Sequence, residues 1–210
     1  TPSTVVATSI NTPNTFGFKN RFINGAMSID QRNAGASVAT SSAAVVYATD
    51  RWFSEYTQTS KLTLQQSTTV PTGFKNSLKV TSSSAYSVTS GDYFTLEQKI
   101  EGLNCADLGW GAAGASTVTL SFWVQSSLTG TFGGALLNSA GNRSYPFSYT
   151  ISSANTWEQK TITITGDTTG TWLTTNGVGL QVVFNLGTGS TIAELLAHGQ
   201  QLTILGQLVR

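Results

Sequence analysis

The chain has 210 residues, enough to bury a sizeable core, and a length near 200 suits one all-β domain as well as two smaller ones, so one domain is the simpler reading. Charged residues make up only 10% of it and the net charge is +1, which provides no electrostatic footprint for nucleic acid or for an anionic lipid surface. Its apolar runs fall short of the roughly 20 residues of a membrane span, so membrane insertion is not expected either.

In chain order, residues 1–15 (TPSTVVATSINTPNT) are Thr, Ser, Asn and Pro with little to bury. They read as a flexible N-terminal arm or linker, and they lack the basic start and sustained apolar stretch of a secretory signal. The domain proper is expected over 16–210. Strands are predicted at Arg21–Ile29, Arg51–Gln58, Lys61–Gln66, Ser77–Ser82, Tyr93–Glu101, Thr117–Ser126, Thr131–Asn138, Pro146–Ser152, Glu158–Thr165 and Gly179–Leu186, with a further one over Gln201–Arg210. Thr191–Gln200 (TIAELLAHGQ) reads as a short helix, with Ile192, Leu195 and Leu196 at helical spacing. Many short strands between Gly, Ser and Asn loops imply an all-β fold, a jelly-roll β-sandwich of two antiparallel sheets. Alternation sorts the faces: Val118, Leu120, Phe122 and Val124 fall on a core face, while Trp123 falls on the other with Thr119, Ser121 and Gln125. Ile162 and Ile164 share an inward face with Lys160, and Thr161, Thr163 and Thr165 point to solvent.

Catalytic patterns are weak. Gly109, Gly111 and Gly114 match GxGxxG, but the residues that follow read as a strand, whereas a dinucleotide site needs a helix opening at the third glycine. A glycine-rich loop between strands is the better reading. His198 is the only histidine and lies in the anomalous helical segment, and no paired-cysteine, HExxH or EF-hand pattern is present. The single cysteine, Cys105, allows no intrachain disulfide and reads as a small buried hydrophobe, its nearest charged neighbours in sequence being Glu101 and Asp107. Two carboxylates suffice for a glycosidase, and Asp50, Glu55, Asp92, Glu97, Glu101, Asp107, Glu158 and Asp167 are available, but nothing pairs any two across a cleft. The reading is therefore non-enzymatic. In Asp50–Arg51–Trp52 the Trp is expected to plug the core while the Asp and Arg hold backbone or each other at its rim, and Gln31 and Arg32 receive the same structural reading.

Asn20–Trp52, with NRFINGAMSIDQRNAGAS and YATDRW, resembles the opening of a jelly-roll domain of bacteriophage tail-fibre and related virion proteins, where a run like NRIINGAMxIDQRNAG precedes a YxxDRW element. TVTLSFWVQSS, TGTF, RSY, NTWEQKTITITGDTTGTW and GVGLQVVFNLGTGS continue the likeness in the same order over roughly residues 16–190. FINGAMSI, TVTLSFWVQSS, NTWEQKTITI and LTILGQLV are also more distantly similar to carbohydrate-binding modules, whose last strand commonly pairs beside the first. The resemblance implies a virion or extracellular location, other virion proteins as partners, and binding of host-surface carbohydrate. Two alternatives stay open: a purely structural virion connector or capsid decoration, and an accessory carbohydrate-binding module of a polysaccharide-degrading enzyme. Sugar sites of this kind use aromatic faces against pyranose rings. The candidates here are Trp110 and Trp172 in Gly- and Thr-rich loops, then Trp123, Tyr93 and Tyr145, with core packing as the competing role for each. No cofactor is required. The resemblance admits a structural calcium, whose ligands no residue pattern identifies, and a homotrimer, the common state of fibres.

Overall fold

The structure, a computed structural model, describes residues 19–41, 44–193 and 203–209. Two six-stranded antiparallel sheets make a jelly-roll β-sandwich. The strands are β1 (Val38–Ala39), β2 (Val45–Thr49), β3 (Trp52–Glu55), β4 (Leu62–Ser67), β5 (Ser77–Ser82), β6 (Tyr93–Glu101), β7 (Val118–Gln125), β8 (Gly130–Leu137), β9 (Ser144–Ile151), β10 (Glu158–Ile164), β11 (Val178–Thr188) and β12 (Thr203–Val209). Short helical turns, α1 (Gly102–Cys105) and α2 (Ser190–Ala193), follow β6 and β11. The first sheet runs β1-β4-β5-β12-β7-β10 and the second β2-β3-β6-β11-β8-β9. Hairpins β2–β3, β4–β5 and β8–β9 stay within a sheet, and the other long connections cross between sheets.

Alternation builds the core. Along β7 the residues Val118, Leu120, Phe122 and Val124 are buried and Thr119, Ser121, Trp123 and Gln125 are half-buried, as the sequence pattern predicts. In β10, Ile164 is buried and Lys160 and Ile162 are half-buried, while Gln159, Thr161 and Thr163 are exposed. Aromatic rings fill the space between the sheets: Phe184 of β11 meets Phe122 of β7 at 5.1 Å, Phe147 of β9 at 5.9 Å and Trp52 of β3 at 6.5 Å between centroids. Two of these rings, Phe147 and Phe184, lie opposite Gly134 in register, and a Cβ there would sit 2.2 Å from the Val183 carbonyl oxygen and 2.6 Å from Phe147 Cζ. Side chain is excluded at that position because aromatic volume already occupies it.

Four expectations need correction or restriction. Arg21–Ile29 is not a strand. Asn24 and Met27 adopt left-handed φ values of 56° and 54°, and the Met27 amide closes a turn onto the Asn24 carbonyl at 3.0 Å. Side chains replace the missing ladder: the Gln98 amide takes the Ile23 N–H (2.8 Å) and donates to the Ile23 carbonyl (2.9 Å), while Asn24 grips Ile29 and Asp50 backbone. Val38–Ala39 and Val45–Thr49 are strands outside the predicted set; the first is only two residues long in an Ala/Ser-rich stretch, and the second, VVYAT, is composed mostly of strand formers. The last strand does not lie beside the first but between β5 and β7. Of the helix expected at Thr191–Gln200, residues 191–193 belong to α2; the remainder, with His198 and the arm at 1–15, lies outside the described residues.

The motif block works as a clasp. Arg21, whose side chain is fully buried, forms a bidentate pair with Asp107 (2.6 and 2.8 Å) and donates to the Asn104 carbonyl (2.6 Å). Asp30 accepts the Asn33 and Gly35 amides, and Asn33 donates to the Tyr47 and Ala48 carbonyls. Trp52, fully buried, donates to the Asn24 carbonyl at 3.2 Å, and Asp50 accepts the Gln31 amide at 3.2 Å. Arg51, at φ 74°, pairs with Glu101 rather than with Asp50.

Candidate functional site

The outer face of the second sheet carries one continuous row across all six strands: Tyr47, Phe53, Glu97, Val183, Ala135 and Pro146, each opposite the next in register. The middle of the row is shielded, with Glu97 3% and Val183 1% exposed, and its ends are open at Tyr47 and Pro146. At the Tyr47 end a groove of about 690 Å³ opens between the Gln31–Arg32 turn, the β2–β3 hairpin, the end of β6 and the 176–178 segment.

Two cations in this groove sit on aromatic rings. The Arg32 guanidinium lies 4.5 Å from the Tyr47 ring centroid and the Lys99 ammonium 4.9 Å from that of Phe53, and the two rings are 5.4 Å apart. Lys99 also pairs with Glu55 at 3.1 Å, and Arg51 with Glu101 at 2.5 Å while donating to the Lys99 carbonyl at 3.3 Å. The Arg51 contact holds the Glu101 carboxyl below its usual range. Asp50 and Asn176 complete the rim. The side chains of Gln31, Arg32, Tyr47 and Asn176 make no hydrogen bond or ion pair to protein among the described residues, and all four residues are exposed.

Beside the groove, Glu97 is in the opposite condition. Burial pushes its carboxyl up to about 7, an effect reinforced by Glu55 and opposed by Thr95, Lys99 and Gln181. Thr95 Oγ1 lies 2.5 Å from Glu97 Oε1 and donates to the Glu55 carbonyl at 3.2 Å, and Gln181 Nε2 donates to Glu97 Oε2 at 2.5 Å. A protonated Oε1 completes this set, because the Thr95 hydroxyl can then accept from Glu97 while donating to Glu55.

Three of the five aromatic candidates come together elsewhere. Trp110, Trp172 and Tyr145 line a cleft of about 450 Å³ with Arg143 and Asp167. Its inner polar groups are paired: Arg143 forms two 2.7 Å bonds to Asp167, Trp172 Nε1 donates to Asp167 at 3.1 Å, and Trp110 Nε1 donates to the Ser116 carbonyl at 2.7 Å. Trp110 is 9% exposed and packs edge-on against Trp172 at 4.7 Å. Tyr93 is half-buried at the start of β6, on the Glu97 face, and burial raises its hydroxyl pKa. Trp123 is half-buried on the outer face of the first sheet, opposite Gln159. None of the five lines the larger groove.

Gly109, Gly111 and Gly114, with φ of 63°, 92° and 87°, form a loop that leads into β7, so no helix N-terminus is available there for a pyrophosphate. Cys105 is buried and in no disulfide, with its thiol pushed up to about 11 by burial. Among the described residues no group of three or more His, Cys, Asp or Glu side chains could hold a metal ion. Of the groove residues, Gln31 and Arg32 are visible in sequence within the motif. Tyr47, Phe53 and Lys99 carry no sequence signal that separates them from ordinary strand residues.

No protein-family model and no curated protein matches the chain. Among solved structures it is similar to the enzymatically active domain of bacteriophage CBA120 tailspike protein 4, at 16% identity and a TM-score of 0.47, over 77% of this chain and 20% of that one. The chain thus spans about a fifth of the tailspike domain. It is also similar to the C-terminal family 22 carbohydrate-binding module of Clostridium thermocellum Xyn10B (12% identity, TM-score 0.45, 86% of this chain and 94% of that one). A family 11 carbohydrate-binding module from the same organism, in complex with a β-1,3-1,4-mixed-linked tetrasaccharide, gives 12% identity and a TM-score of 0.44 over 82% and 95% of the two chains.

Proposed function

We propose that the chain is a non-enzymatic carbohydrate-binding module of a phage virion protein of the tail-fibre type, working outside the cell on host-surface glycan. The observation that carries the binding reading is a set of polar side chains that make no hydrogen bond to protein, Gln31, Arg32, Tyr47 and Asn176, gathered around one open groove. Glycans present dense hydroxyls, and a groove of amides, a phenol and a guanidinium offers matching donors and acceptors. In the smaller cleft the two indole N–H groups, Arg143 and Asp167 are already hydrogen-bonded to protein, which supports a packing role for Trp110 and Trp172. The virion part of the reading is supported by the ordered motifs from Asn20 onward. An accessory module of a polysaccharide-degrading enzyme would use the same groove and differ only in its parent protein.

The test is a glycan array with the purified chain, followed by titration of hits with the Tyr47→Ala variant. Tyr47 is 40% exposed on an edge strand, so its truncation leaves the core intact. Saturable binding that weakens about tenfold or more in the variant is expected, from the loss of the phenol hydroxyl and of the ring that seats Arg32. An array without hits would remove the glycan reading and move the weight to a structural virion part.

A further inference from the structure

Resting on the glycan reading of this groove, we infer that its ligand is an acidic glycan, with the carboxylate of a uronic-acid residue received by Arg32. Three cations, Arg32, Arg51 and Lys99, line the groove against two carboxylates, Asp50 and Glu101. Arg51 is committed to Glu101 and Lys99 to Glu55. Arg32 alone among them has no ion-pair partner among the described residues, although it is held in place over Tyr47.

That placement decides what the groove presents. A neutral pyranose binds through its apolar C–H face laid on an open aromatic face. Here the rings already carry cations, Arg32 over Tyr47 and Lys99 over Phe53, and Phe53 is only 3% exposed. The Arg32 guanidinium makes no hydrogen bond or ion pair to protein among the described residues, so its planar set of donors is available as a fork. Its fork matches the two oxygens of a carboxylate, and the ring beneath reduces the side-chain freedom lost on binding. Asp50 does not neutralise Arg32: its Oδ1 accepts the Gln31 amide and it forms no ion pair with the guanidinium. Gln31 and Asn176 remain for the hydroxyls of the same sugar residue.

The experiment titrates the intact chain with polygalacturonate, alginate and hyaluronate, and with the carboxyl-reduced form of each, in which the carboxylate is replaced by a primary alcohol. Binding to at least one polyuronate, about tenfold or more tighter than to its reduced counterpart, is expected from a charge-assisted contact. In Arg32→Gln that preference should vanish. Lys79→Gln, the same charge change on an exposed residue of the opposite sheet, should keep it. Free glucuronate should displace the polymer where glucose does not. Equal affinity for acidic and reduced polymers, or an undiminished preference in Arg32→Gln with folding verified by Trp fluorescence, would overturn the acidic-ligand inference and leave the glycan reading standing. Failure to bind any polymer in the panel, charged or neutral, together with a blank array, would overturn both.

Discussion

Glu97→Gln offers the sharpest test of the physical picture of the second sheet. The carboxyl is 3% exposed, and burial lifts its pKa from the ordinary 4.5 to about 7. A carboxyl whose folded pKa is raised binds more protons in the native than in the unfolded state between those values, so stability is full below about pH 4.5 and falls as pH rises through 7. The 2.5-unit interval between 4.5 and 7 corresponds to about 3 kcal/mol once the group is ionised. Glutamine keeps the neutral network: its Nε2 can donate to Thr95 Oγ1 and its Oε1 can accept from Gln181. Urea unfolding followed by Trp fluorescence at pH 4 and pH 8.5 should give nearly equal stabilities at the lower pH and a variant more stable than wild type by about 3 kcal/mol at the higher one. At the acid end the slope reverses, because Asp107 is held down to about 2 by Arg21 and ionic stabilisation is lost as pH falls through that range. A wild-type stability that stays level from pH 5 to 8.5, or a variant with the same alkaline decline, would refute a buried neutral carboxyl at this position.

Two further outcomes follow from packing. Gly134→Ala should destabilise by about 1–3 kcal/mol, since its Cβ meets a carbonyl oxygen and an aromatic ring that cannot both move aside; a urea midpoint unchanged from wild type would show that the Phe147–Phe184 layer is looser than described. Cys105, with its thiol raised to about 11 from 9.0 and buried at the end of α1 against Gly179 of β11, should react with a disulfide reagent at pH 8 on the order of a hundredfold more slowly when folded than in denaturant. Prompt stoichiometric labelling of the native chain would contradict that burial.

How much of this was legible in the chain depends on how local the cause is. Strands β5 and β6 coincide with the predicted segments, β7 is one residue shorter than predicted at each end and β10 one residue shorter at its C-terminal end, because period-two alternation is set by the strand backbone itself. Arg21–Ile29 misled because its apolar residues, Phe22 and Met27 among them, do enter the core, but as a turn-rich segment whose hydrogen bonds are supplied by Gln98, 75 residues from Ile23. One clue was present: Gln98 sits at an inward position of YFTLEQKIE, between Leu96 and Ile100, and a polar side chain there needs a buried partner. The tryptophans drew attention as sugar platforms, yet an indole in a Gly-rich loop looks the same in sequence whether its ring faces solvent or another tryptophan. Trp110 and Trp172 pack edge to face against each other.

The sequence by itself determined an all-β sandwich, the core face of its strands and a glycine-rich loop in place of a nucleotide site, since alternation and turn chemistry act over a few residues. Only the tertiary structure decided which side chains share the groove. Tyr47, Phe53 and Lys99 come from three strands, and Arg32 from a turn, so their meeting depends on sheet order and register, and on a clasp of backbone bonds from Asp30 and Asn33 that sets Arg32 over a ring. The ionisation of Glu97 was decided in the same way: its sequence matches an exposed strand carboxylate, and only burial within the sheet face makes its neutral form the stable one near neutrality.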